Sequence, residues 1–364
     1  MDKSLKNTYA VILAGGSGTR FWPKSRLKTP KQLCKIGNSE STMIEQTLSR
    51  LDELIPPERR IIVTHMAQAE ATKKIVRNTC KTVLQEPEAR NTSAALALAA
   101  LEIQKIADSK SAVMVSLHAD AIIRKPDNFI AAIKQAIMTA TDNYLTLVGV
   151  TPTYAETGYG YIEAGKPIGN SQTKKVQSFR EKPSQELAEE YLRDQAFTWN
   201  SGIFVWKTGV MLEELSKNIP IIESGLTKLS NNLNKAFSEM TPQELAPTYT
   251  KLPKIAIDNA ILEVSDRVAV VKGDLGWQDV GSWGSLSRCF PVDENGNLIY
   301  GQAVLKDCTG MTVDTDGPLV AGIGLKNLVI VKSGNAILVC PNDRSQDVKK
   351  VVENLATMNR EEYT

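Results

Sequence analysis

Residues 10–32 read AVILAGGSGTRFWPKSRLKTPKQ, and no other stretch restricts the chain as tightly. An apolar run, Tyr9 to Leu13, opens into a loop with Gly15, Gly16 and Gly18. Such a run predicts a buried strand, and the glycines predict a sharp exit from its C-terminal end. Glycine leaves backbone N–H groups bare, so phosphate oxygens can approach closely. Leu13 and Ala14 at the strand end and the three glycines are therefore the expected nucleotide-binding backbone. Arg20 closes the loop and Lys31 follows it, and both add fixed positive charge for phosphate. The stretch points to a nucleoside triphosphate.

Two common glycine loops do not fit. A P-loop ends in Gly-Lys-Ser/Thr, whereas Gly18 is followed by Thr19 and Arg20. A dinucleotide-binding loop needs a third glycine where this chain has the bulky Phe21, which disfavours a nicotinamide dehydrogenase. An ordinary strand-to-helix turn is the remaining alternative, and Arg20 with Pro30-Lys31-Gln32 argues against it. The 364 residues suffice for one large and one small domain. Lys plus Arg number 43 against 41 acidic residues, a balance of +2 that leaves no electrostatic footprint for nucleic acid. The longest apolar stretches, such as 94–101, are far too short to span a membrane, and residues 1–8 lack a secretory h-region. Five cysteines without a C-x-x-C argue against a disulfide framework or zinc site and suit reduced thiols in the cytoplasm. Only His65 and His118 are available for a histidine-based triad, and no serine elbow accompanies them. His65 reads as a structural strand-end residue.

Over the first two-thirds, apolar runs alternate with helical patterns. Strands are expected at 10–13, 61–64, 112–117, 145–150, 202–205 and 268–271. Helices are expected at 42–51, 67–77, 92–107 and 126–141, with Asn91 as an N-cap. This order predicts an α/β fold, a Rossmann-like, mostly parallel sheet flanked by helices. Ligands then gather at the C-terminal strand ends, where the glycine loop lies. Near Pro291 the pattern changes to short apolar runs separated by Gly, Asn and Asp, then a helical period over 343–358. We therefore expect a catalytic domain over 1–290 and a small β-rich domain with a terminal helix over 291–364. The latter is either a sheet extension or an oligomerisation element, with a homodimer as the expected assembly.

The string Gly15, Gly16, Gly18, Arg20, Pro23, Pro30, Lys31 resembles the signature of sugar-nucleotide pyrophosphorylases, and FWPKSR…PKQ resembles their mannose-1-phosphate guanylyltransferase branch. Further segments match in the same order over nearly the whole chain. The resemblance implies a nucleotidyltransferase-type sheet and a short left-handed β-helix at the C-terminus. It implies that Gln85–Thr92 recognises guanine and ribose, with Glu86 as candidate and Arg90, Asn91 and Thr92 nearby. A carboxylate can accept from guanine N1–H and its 2-amino group, a pairing adenine does not offer. It implies Asp120 as a metal ligand, in a segment where relatives read Pro-Ala-Asp-His and this chain has His118 and Ala121 instead of proline and histidine. It assigns Gly160, Glu181, Lys182 and Asn200 to the sugar-phosphate pocket, and Asp258 to the sugar site or to capping a helix. The string Gly276-Trp277-Gln278-Asp279-Val280-Gly281-Ser282-Trp283 resembles a motif of the guanylyltransferase branch, with Asp279 as second metal carboxylate.

The implied reaction joins GTP and mannose 1-phosphate into GDP-mannose and pyrophosphate, with Mg²⁺ as cofactor. The nucleophile is already an anion, so no general base is required, which agrees with the scarcity of histidine. Mg²⁺ on Asp120 and Asp279, with Arg20, Lys31 and Lys182, would offset repulsion between two polyanions, with Arg20 and Lys31 as the catalytic cations. Rival readings are the same chemistry on another sugar 1-phosphate or NTP, and a non-catalytic sugar-nucleotide sensor.

Overall fold

The structure, a computed structural model, describes residues 3–363 apart from Ser17, Asn38 and Asn170. Among them, nine strands form one mixed sheet. Across the sheet the order is Thr82–Glu86, Arg60–His65, Thr8–Leu13, Val113–His118, Phe197–Lys207, Leu145–Val150, Val268–Gly273, Lys174–Glu181 and Gly160–Pro167. The first four run parallel, in the register Ala10↔Arg60, Leu13↔His118 and Ile61↔Thr82. Phe197–Lys207 lies antiparallel between Val113–His118 and Leu145–Val150. The sheet is thus less uniformly parallel than the alternation of elements predicts. Gly160–Pro167 and Lys174–Glu181 pair as a hairpin because the link at 168–173 is too short for a crossover helix.

The first strand shows why its sequence is apolar throughout. Tyr9 and Val11 point into one core, and Ala10 and Ile12 into the other. With side chains alternating between faces, a strand covered on both sides can keep no polar row. The helix Asn91–Ala107 covers one face, with Ala94–Ala100 buried. The helix Pro126–Thr141 covers the other. Its N-terminus begins with Pro126, which needs no N–H partner. Asn91 is not the N-cap. Arg90 holds that place, and Asn91 is the first helical residue, at φ +63°. Its Oδ1 accepts from the Thr92 N–H at 2.8 Å, and asparagine tolerates this left-handed conformation better than most residues. No helix among the described residues is long and apolar enough to cross a membrane.

The C-terminal part is β-helix-like. Leu298–Tyr300, Thr312–Thr315 and Leu328–Ser333 stack in parallel, and Ala303–Lys306 pairs parallel with Val320–Ile323 in a second sheet. Ala336–Pro341 then returns antiparallel. This coil shares a core with the larger part of the chain. Phe21, Trp22, Ile36 and Met43 meet Val280, Trp283, Val329, Leu338 and Val348 there. The Phe21 and Trp283 ring centroids are 5.0 Å apart. Trp283 Nε1 donates to the Trp22 carbonyl at 3.0 Å, and Trp22 Nε1 donates to the Tyr363 carbonyl at 2.6 Å. Lys24 Nζ reaches the buried Asp314 carboxylate at 2.7 Å. The turn that follows the glycine loop is therefore clamped by residues from the last quarter of the chain.

Trp283→Ala empties the centre of this shared core. Stability should fall by about 3–5 kcal/mol, the usual cost of deleting a buried aromatic side chain. Chemical denaturation measures it, and a loss below about 1 kcal/mol would contradict the packing role.

Candidate active site

At the C-terminal edge of the parallel strands, three cavities adjoin among the described residues. The first, ≈ 290 Å³, is lined by Leu13, Ala14, Gly15, Gly16, Glu86, Asn91 and Thr92, among others. The second, ≈ 280 Å³, is lined by Gly160, Glu181, Asn200 and Asp258 together with Tyr159 and Trp277. The third, ≈ 340 Å³, is lined by Gly16, Gly18, Arg20 and Lys31. Asp120 borders all three, and Asp279 borders the second and third. His118 borders the first and second.

The glycine loop is held by its carbonyls. Gln32 Nε2 donates to the Ala14 carbonyl at 2.6 Å and to that of Gly16 at 3.2 Å. Thr64 Oγ1 adds a bond to the Ala14 carbonyl at 3.0 Å, and Ser25 Oγ donates to the Gly18 carbonyl at 2.7 Å. The N–H groups of Gly15, Gly16 and Gly18 donate to no described residue. The loop thus keeps backbone donors of the kind an anion requires. Gly18 has φ +60°, and a Cβ there would stand 2.6 Å from the Lys31 backbone nitrogen. Only glycine permits that approach.

Lys31 is almost fully buried. Its ammonium lies 3.0 Å from Asp120 Oδ2, donates to the Val280 carbonyl, and sits 5.2 Å from the Phe21 ring centroid. A buried ammonium needs such partners, because an unpaired charge away from water is costly. Asp279 is placed beside Asp120 by a short antiparallel bridge, with Asp279 opposite Ala121. The two carboxylates respond in opposite directions. Burial works against ionising Asp120, but the Lys31 ammonium and His118 outweigh it and hold its pKa below the usual range. Burial and the neighbouring Asp120 charge push Asp279 up, against Lys31, His118 and Arg20. No cluster of three or more metal-ligating side chains occurs among the described residues. Two converging carboxylates still fit a hard divalent cation that takes its other ligands from water and phosphate oxygens. The His118 ring rests against Gly202, where a Cβ would stand 2.6 Å from it.

Glu86 ends the strand Thr82–Glu86 and accepts a 2.7 Å bond from the Tyr249 hydroxyl. Burial raises its pKa to about 7, partly countered by Tyr249 and the Arg90 N–H. Gly15 leaves room for it, since a Cβ would lie 3.0 Å from Glu86 Oε2. In the second cavity, Asn200 Nδ2 donates to Asp258 Oδ1 at 2.8 Å, and the Gly202 N–H donates to Asn200 Oδ1 at 3.1 Å. Burial, then Glu181, raises Asp258 to about 6. Asp258 opens a π-helical turn, Asp258–Leu262.

Two of the residues predicted from sequence are not brought into these cavities. Arg90 is turned onto Glu88 at 2.8 Å and the Leu252 carbonyl at 3.0 Å. Lys182 lies outside the second cavity, with its ammonium 2.7 Å from Glu181 Oε1 and 64% of its side chain exposed. Gly160 is close to protein as well as cavity, since a Cβ there would press on Glu181 Oε2 and Phe179. The geometry also brings forward residues that sequence reasoning misses. Gln32 stands beside Lys31 in the loop signature, a signal within reach. Tyr159 packs edge-on against Trp199 and Trp277, at 5.3 and 5.2 Å between centroids, and forms an aromatic wall. Lys349 reaches the third cavity from the far end of the chain, with no local signal.

The Glu86 shift has a sign that can be tested. Between its unfolded value near 4.5 and its folded value of about 7, the unfolded chain ionises while the folded carboxyl stays protonated. Its contribution is therefore complete below about pH 4.5 and is lost as pH rises through about 7. Glu86→Gln cannot ionise, so its stability should gain on the wild type over that window by on the order of 3 kcal/mol. Parallel pH–stability curves for the two proteins would exclude the shift.

Residues 9–296 match the nucleotidyl transferase family, and residues 292–355 match the mannoseP isomerase/GMP-like beta-helix domain family. A mannose-1-phosphate guanylyltransferase of Klebsiella pneumoniae is 36% identical over 358 residues, covering 97% of this chain and 75% of the relative. One of Escherichia coli K12 is 35% identical over 367 residues, covering 98% and 75%. A crystal structure described as a mannose-1-phosphate geranyltransferase from Thermus thermophilus superposes with a TM-score of 0.85 at 33% identity, covering 96% of this chain and 99% of the other. The enzyme with these cavities belongs to the nucleotidyl transferase family, in its mannose-1-phosphate guanylyltransferase branch.

Proposed function

We propose that this enzyme transfers the guanylyl group of GTP to mannose 1-phosphate, forming GDP-mannose and releasing pyrophosphate. The observation that carries the reading is Asp120 at the junction of three cavities, one each for nucleoside, sugar and phosphates. A nucleotide in the first cavity and a sugar phosphate in the second would meet beside it.

In this reading Glu86 accepts from guanine while Tyr249 holds its other oxygen. The loop N–H groups and Arg20 bind the phosphates. Asn200 and Asp258 hold sugar hydroxyls, with Tyr159 and Trp277 covering an apolar face of the ring. Lys182 does not line this cavity, and its exposed ammonium pairs with Glu181, an ion pair that a sugar phosphate would have to replace. A sugar phosphate oxygen attacks the α-phosphorus in line, forming one P–O bond as the bond to the bridging oxygen of pyrophosphate breaks. The attacking oxygen is an anion and the leaving group is an anion, so no proton transfer and no covalent enzyme intermediate are required. Enzymes of this kind generally use a divalent metal. Asp120 and Asp279 are the residues that would hold it, and when bound Mg²⁺ supplies charge neutralisation between the two polyanions. Lys31 orients Asp120 and Arg20 faces the developing charge. A cytoplasmic setting is part of the reading, since five free thiols suit a reducing compartment.

A panel of NTPs and sugar 1-phosphates, assayed by pyrophosphate release with Mg²⁺, tests the reading. GTP with mannose 1-phosphate should give the highest kcat/KM. Another favoured pair would reassign the substrates, and no turnover with any pair would favour a binding protein. Asp279→Ala should lower kcat by about 10³-fold or more while the thermal melt stays cooperative. Near-normal turnover would remove Asp279 from the metal site.

A further inference from the structure

The third cavity has a wall supplied by the C-terminal coil. The helix Val348–Thr357 packs against the turn Thr19–Phe21, and Lys349 lines the cavity with Gly18, Arg20 and Lys31. The mount is firm. Val348, the neighbouring residue, is buried in the core shared by both parts of the chain. Just before it, the buried hydroxyls of Ser282 and Ser345 bond at 2.9 Å. Gly284 allows the Asn342 backbone to approach so closely that a Cβ would collide with its carbonyl.

The charge distribution says what this wall is for. Three cations border the cavity, together with Asp120 and Asp279. The Lys31 ammonium is taken up by Asp120 and the Val280 carbonyl. Arg20 and Lys349 are left to face an anion. The only ion pair of Lys349 among the described residues is an exposed one to Glu353, one helical turn on, at 3.5 Å. Such pairs are weak and readily exchanged for a phosphate. The cavity shares Gly16 and Asp120 with the nucleoside cavity and Asp120 and Asp279 with the sugar cavity, and its other lining residues belong to it alone. A triphosphate whose α-phosphorus lies at that junction has its β- and γ-phosphates here.

We propose that Lys349 is a phosphate-binding residue for the β- and γ-phosphates of the nucleotide, and so for the pyrophosphate that leaves. The coil domain then contributes a side chain to the reaction site. The inference rests on reading the third cavity as the phosphate site. It does not depend on which base or sugar the enzyme prefers.

Calorimetric binding of inorganic pyrophosphate, GTP and GMP, each with Mg²⁺, to the full-length protein tests it apart from turnover. Lys349→Ala should weaken pyrophosphate and GTP binding by about 10-fold and leave GMP binding unchanged, because GMP has no phosphate beyond the first. Lys349→Arg should restore most of the loss. Glu353→Gln, which frees the lysine, should leave pyrophosphate binding equal or tighter. Unchanged pyrophosphate affinity in Lys349→Ala, an equal loss for GMP, or a wild type that does not bind pyrophosphate would each overturn the proposal. The assignment of GTP and mannose 1-phosphate fails on a different result, the absence of turnover in the substrate panel.

Discussion

The contact between the Lys31 ammonium and the Asp120 carboxylate is the constraint around which the rest is arranged. An ammonium with almost no exposure must be neutralised where it stands. That requirement ties the end of the glycine loop to the end of a neighbouring strand, and through the Val280 carbonyl to the Trp277–Trp283 string. Elements far apart in sequence are thereby drawn to one point. Asp120 is held as a carboxylate in a cleft that would otherwise favour its acid form. The same charge, together with burial, raises Asp279, so the two neighbouring carboxylates favour different protonation states.

The parts legible in the sequence are those whose signal is local. The glycine loop, Asp120 and Asp279 sit in short strings at strand ends, and a strand buried on both faces announces itself by an unbroken apolar run. The strands Leu145–Val150 and Thr8–Leu13 are legible in this way. Lys174–Glu181 is not, because KKVQSFRE is largely exposed and keeps no apolar row. Its hairpin with Gly160–Pro167 consequently stays hidden. The directions of Arg90 and Lys182 are equally illegible. A long charged side chain goes to its nearest partner, and those partners, Glu88 with the Leu252 carbonyl and Glu181, are chosen by tertiary packing.

The aromatic residues divide between two duties. Trp199, Tyr159 and Trp277 form a continuous edge-on stack beside the second cavity, where rigid rings provide a fixed surface at little entropic cost. Phe21, Trp22 and Trp283 instead join the glycine loop to the C-terminal coil. One motif, running from Trp277 to Trp283, serves both. Its first tryptophan lines the second cavity, its aspartate lines the second and third, and its last tryptophan packs against Phe21 behind the loop.

The antiparallel return of Ala336–Pro341 along the stacked strands has a consequence for how the chain can vary. By reversing direction, it ends the stack and sends the last helix back toward the start of the protein instead of onward. Each added rung would lengthen the stack by roughly 4.8 Å, nearly the width of one strand. A longer or shorter solenoid would therefore carry its terminal helix past the mouth of the cleft or leave it short. The rung count in this molecule is a ruler cut to the distance between the glycine loop and the helix Val348–Thr357.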